Sequence, residues 1–120
     1  MSEQSIQRRI TQELEKADRS RAEGNEGKAR VCARRAVGIA IGEYFRSNGY
    51  PDSDRSVYNR LRELSELPTV SKQIHEIASH FLLRVTPEHD LPVEIDLIAE
   101  ARWLITELLS QLPPAEAGGM

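Results

Sequence analysis

The chain has 120 residues, 39% of them hydrophobic and 29% charged, and carries a formal net charge of −3. That length holds one domain with a single core, and the composition excludes wholesale disorder. The acidic balance excludes a protein that coats nucleic acid through bulk charge, so any such contact has to be local.

Ile6, Ile10, Leu14 and Ala17 recur at steps of three and four and predict a first helix from about Glu3 to Ala22, polar on its other side. The link RAEGNEG holds two glycines and an asparagine, a short turn that returns the second helix antiparallel to the first. That second helix, Asn25 to Arg46, is the longest and organises the chain. Ala29, Ala33, Ala36, Val37, Ala40, Ile41 and Tyr44 align in one apolar stripe, Asn25 suits the N-cap, and Glu26 suits the positive helix end. Ser47, Asn48, Gly49 and Tyr50-Pro51 stop it. At ~1.5 Å per residue the rod is roughly 30 Å long, the width of a small domain.

Asp52 or Ser53 is expected to cap a shorter third helix with Val57, Leu61 and Leu64 inward and Tyr58 beside them, closed by Leu67-Pro68. Thr69 or Ser71 starts a fourth, where Val70, Ile74, Ile77, Ala78, Phe81, Leu82 and Val85 form a wide apolar face as far as Thr86-Pro87. Pro92 fits the first turn of a fifth, with Glu94 and Asp96 early in it and Ile95, Ile98, Ala99, Ala101, Leu104, Ile105, Leu108, Leu109 and Leu112 apolar enough to bury most of its circumference. The tail 113–120 is expected to be disordered. No segment alternates as a strand does, so the fold class is all-α: one up-and-down bundle of about five helices over residues 1–112.

No run approaches the ~20 apolar residues of a membrane span, and MSEQSIQRRI lacks an apolar signal core, so a cytoplasmic location without membrane contact is expected. The single cysteine, Cys32, permits neither an intramolecular disulfide nor a cysteine-based zinc cluster. His75-Glu76 followed by His80 misses a zinc-protease helix by one residue: positions five apart lie about 140° apart, so the two imidazoles do not face one metal. Gly24-Asn25-Glu26-Gly27-Lys28 lacks the spacing, the Ser or Thr and the preceding strand of a phosphate loop. No metal or cofactor is expected.

Three features remain. Gly38 and Gly42 stand four apart inside the second helix, each costing about 0.8–1.0 kcal/mol against Ala, which points to a close helix crossing within the chain or to a dimer contact. Lys28, Arg30, Arg34 and Arg35 make the same helix the most basic surface, either neutralised by the acidic residues 84–112 or offered to phosphates of RNA or a nucleotide. Arg84 and His89 stand where the fourth helix gives way to the fifth. There a histidine can move a proton near neutral pH while an arginine stabilises a phosphorane, without a metal.

Taken together, GNEGKARVCARRAVGIAIGEYF, VYNRLREL, IASHFLLR and VEIDLIAEARWLITELL resemble the HEPN domain (higher eukaryotes and prokaryotes nucleotide-binding), over most of residues 6–112. The resemblance implies an all-α bundle that forms a homodimer. Many members are ribonucleases with an arginine, four to six residues and a histidine, which Arg84 and His89 match. Others are non-catalytic partners of nucleotidyltransferases, or bind nucleotides. Pro87 interrupts the motif here, and Leu91 stands where toxin members often carry tyrosine. The expected function is therefore a nucleotide- or partner-binding module working with a nucleotidyltransferase, with the metal-independent ribonuclease as alternative. The alanine-rich pattern of the first two helices also resembles a tetratricopeptide hairpin, which implies a protein-interaction adaptor, although stacking normally needs about three such units.

Overall fold

The computed structural model describes residues 3–50, 56–83 and 95–110. Among them the chain forms five helices and no strand: α1 (Glu3–Ala22), α2 (Glu26–Ser47), α3 (Val57–Glu66), α4 (Lys72–His80) and α5 (Leu97–Ser110). The expected all-α bundle with a long central second helix is what the chain adopts. α2 packs against α1, α3 and α5, and α3 packs on α4, while α5 touches α4 and α1 more lightly.

The α1–α2 hairpin follows from side-chain size. Ala29, Ala33, Ala36 and Ala40 are fully buried in α2, and Ile6, Ile10, Leu14 and Ala17 are buried along α1. A row of alanines lets the helices approach closely, and the larger residues of α1 supply the apolar area. Both long helices end alike. Gly24 and Gly49 adopt φ +81° and +75°. Asn25 N–H then donates to Ser20 O at 2.8 Å and Tyr50 N–H to Phe45 O at 2.9 Å, satisfying carbonyls that helix ends leave open. Left-handed backbone is required here, and glycine supplies it without a Cβ clash. Tyr50 completes its turn by packing on Tyr44 and Phe45, with ring centroids 6.2 and 6.0 Å away. The core proper holds Phe45, Ile41, Leu61, Leu64, Ile74, Leu97, Leu104 and Leu108, all essentially without solvent contact. Full burial of each such side chain stabilises by about 1.5–3 kcal/mol relative to exposure.

Three helix boundaries differ from the sequence expectation. α3 opens at Val57 with Ser56 as N-cap, its side chain accepting from Asn59 N–H at 3.1 Å, rather than at Asp52 or Ser53. Ser56 adjoins the first residue of the apolar stripe, which is why it captures the cap. Tyr58, expected beside the inward residues, is 59% exposed. α4 begins after Ser71 as expected but ends at His80 instead of running to Thr86. The chain leaves it through successive i→i−3 bonds, Phe81 N–H to Ala78 O, Leu82 N–H to Ser79 O and Leu83 N–H to His80 O. Phe81 stays buried beyond the helix, so apolar spacing persists after helical geometry has stopped. α5 begins at Leu97, and Asp96 is its cap rather than a residue of its first turn: the Asp96 carboxylate accepts from Ala99 N–H at 3.2 Å. The expected tail, residues 113–120, lies outside the described residues, as do Pro87 and Pro92.

Candidate functional site

The first half of α2 is fixed by its N-terminus. Asn25 accepts a hydrogen bond from Lys28 N–H at 3.1 Å, which sets the direction in which the cations of the next turns project. At about 100° per residue, Arg30, Arg34, Val31, Arg35 and Lys28 follow one another around an outer arc roughly 160° wide. The four basic residues therefore share one side of the helix. Lys28 and Arg35 are exposed on its outer flank, with Val31, 41% exposed, between them and the inner pair.

Arg30 and Arg34, one turn apart, are recessed. Arg30 has only 16% of its side chain exposed, and its Nε lies 3.8 Å from Glu26 Oε2. Glu26 is held more tightly by Arg21, through Nη2 at 2.6 Å and Nε at 3.0 Å, and Arg21 reaches Asp96 through Nη1 at 2.9 Å. This network ties the end of α1, the start of α2 and the cap of α5 together. The Arg21 hydrogen bond holds the Glu26 carboxyl below its ordinary value against the effect of burial. Burial pushes the Asp96 carboxyl up, but the Arg21 and Ala99 hydrogen bonds outweigh it and lower it overall.

Arg34 differs. It is half-buried, and its Nε donates to the Phe81 carbonyl at 3.4 Å, where α4 ends. Among the described residues no carboxylate pairs with it. Burial, and then the charge of Arg30, lower its pKa, which means that its cation is poorly compensated where it stands. A recessed guanidinium with no acid partner among the described residues has an anion as its natural complement.

The other singled-out residues have other work. His80 Nδ1 donates to Glu100 Oε1 at 2.8 Å, with 22% and 25% of the side chains exposed, and this pair links α4 to α5. The His75 ring nitrogen meets the Leu67 carbonyl at the end of α3. The two histidines thus have separate partners, and no group of three potential metal ligands occurs among the described residues. Gly38 and Gly42 face α3 of the same chain. A β-carbon at Gly38 would fall 2.7 Å from the Val57 side chain, and one at Gly42 would fall 2.6 Å from the Arg60 guanidinium. Arg60 Nη1 donates to Gly38 O at 3.0 Å, so the absent side chains make room for a crossing helix and its arginine. The face that the two glycines offer is thus occupied by Val57 and Arg60 of the same chain. Arg84 and His89 lie outside the described residues.

Sequence spacing identified the basic residues but not their division into a recessed and an exposed pair. Arg34 and Phe81 are 47 residues apart, and periodicity carries no signal for that meeting. The His80–Glu100 pair was likewise missed, since each residue alone reads as polar surface. No family model matches the chain, and comparisons with curated proteins and with solved structures give no match.

Proposed function

We propose that the chain is a HEPN-like helical module that binds a nucleotide, or the phosphates of RNA, on the outer arc of α2 and works beside a nucleotidyltransferase. The observation that carries this reading is Arg34, a recessed guanidinium with no carboxylate partner among the described residues, one turn from Arg30. Lys28 and Arg35 add long-range attraction from the exposed flank. The order of helices, with a long second helix at the centre, supports the family resemblance. Because α3 fills the glycine face, a homodimer would use another surface, the α4–α5 end being the remaining expectation; light scattering tests it, and a monomer at high concentration rejects it.

The binding test is titration of AMP, ATP and single-stranded RNA against wild type and the Arg30→Ala, Arg34→Ala, Arg84→Ala and His89→Ala variants. Loss of Arg34 is expected to weaken binding by at least tenfold and to reduce its salt dependence, the usual consequence of removing a phosphate contact. Affinity unchanged in both the Arg30 and Arg34 variants rejects the site. The ribonuclease alternative rests on the spacing of Arg84 and His89 and predicts metal-independent cleavage that requires the ribose 2′-OH and falls about 10²–10⁴-fold in His89→Ala. Nucleotide binding without cleavage is the outcome we expect.

A further inference from the structure

We infer that the Arg30–Arg34 pair is a terminal-phosphate site: its ligand class is the phosphate monoester, such as a 5′-mononucleotide or the phosphorylated end of an RNA strand, rather than an internal phosphodiester. This rests on the nucleotide-binding reading of α2 and narrows it.

The geometry of Arg34 is the starting point. A guanidinium has five N–H donors in a plane, and can grip two oxygens either along its Nε edge or across its two Nη atoms. The Nε of Arg34 is committed to the Phe81 carbonyl, and no other bond of this side chain is formed among the described residues. What remains is the end-on grip, which takes two oxygens of one phosphate. An internal phosphodiester has only two unesterified oxygens, so that grip engages both and any further donor has to share one of them. A terminal phosphate has a third, and a second guanidinium one turn away on the same helix face is the group placed to receive it.

Charge and access point the same way. A phosphate monoester carries about −1.5 to −2 charges near pH 7, against −1 for a diester. Two neighbouring guanidiniums, of which Arg34 is held down first by burial and then by the charge of Arg30, gain more from the former. Both are also recessed, Arg30 to 16% exposure and Arg34 between α2 and the end of α4. A mid-strand phosphate brings a nucleoside on each side, whereas a chain end enters with one.

The test compares AMP, 3′,5′-cyclic AMP and inorganic phosphate by calorimetric titration at fixed salt, using wild type, Arg34→Ala, Arg34→Lys and Arg62→Ala. Arg62 is exposed on α3 and controls for loss of one positive charge. AMP is expected to bind at least tenfold more tightly than cyclic AMP, with detectable binding of inorganic phosphate. Arg34→Lys, which keeps the charge but loses the fork, should lose most of the discrimination, while Arg62→Ala keeps it. Thermal melts of the variants establish that they are folded. Equal affinities for AMP and cyclic AMP overturn the terminal-phosphate inference while leaving nucleotide binding intact. Absence of binding by all three ligands overturns the nucleotide reading itself.

Discussion

At Gly38 the space for a methyl group is taken by the branched side chain of Val57, whereas at Gly42 it is taken by the end of the long Arg60 side chain. The two substitutions by alanine therefore differ in cost. Val57 sits at the start of α3 and has few rotamers to move into, so Gly38→Ala is expected to destabilise by about 1–3 kcal/mol through overpacking. The Arg60 guanidinium can swing aside, exchanging its bond to Gly38 O for water, and the helix propensity gained by alanine, about 1 kcal/mol, offsets much of that loss. Urea denaturation should show a lowered midpoint for Gly38→Ala and little change for Gly42→Ala; the reverse order would mean that the crossing is held differently. Residue-scale detail of this kind was only half legible. The cost of two mid-helix glycines announces a close approach, but nothing in α2 says that an arginine of α3 occupies one of them.

Among the elements, the network of Arg21, Glu26 and Asp96 makes one end of the bundle sensitive to acid. Both carboxyls sit below their ordinary values in the folded chain, with Arg21 the shared stabilising partner. Their contribution is therefore fully present above the ordinary carboxylate range of about 4 and is lost as pH falls through the lower folded values. Replacing Arg21 by Gln should destabilise the protein at pH 6 and less at pH 3, which lies below the ordinary values of both carboxyls, so that the unfolded chain gains protons that the folded pair resists. Paired denaturation curves at the two pH values check this, and an equal deficit at both would assign the effect to lost packing. All three side chains are well exposed, so the effect is modest. Helix ends were legible where one good cap stood next to an apolar stripe, as with Asn25, and at α4 Ser71 is the one realised of the two expected starts, Thr69 or Ser71. They were misplaced where several Asp and Ser residues competed before α3, and where Phe81 continued the apolar spacing past the end of α4. Spacing reports which residues face a core, not whether the backbone carrying them is still helical.

Over the whole molecule, α2 is the wall that α1, α3 and α5 share, whereas α4 rests chiefly on α3 and only lightly on α5. Its position was legible from length and alanine content; which helices would cover which stretch was not, since that depends on the sizes of residues far apart in the chain. The arrangement has a consequence for the order in which the protein comes apart. Amides between Val37 and Phe45 belong to a stretch that is almost wholly buried, so they can meet solvent only when the bundle opens as a whole. α4 is nine residues long and can detach while the α1–α2 hairpin stays closed. Hydrogen–deuterium exchange should therefore separate two populations, fast in the α4 peptides and slow in the middle of α2; exchange at one common rate would show a single cooperative unit. A detached α4 would carry the Phe81 carbonyl away from Arg34. Ligand held by that arginine should then slow exchange in α4, a protection detectable on a helix tied to the site through the carbonyl of the residue that follows it.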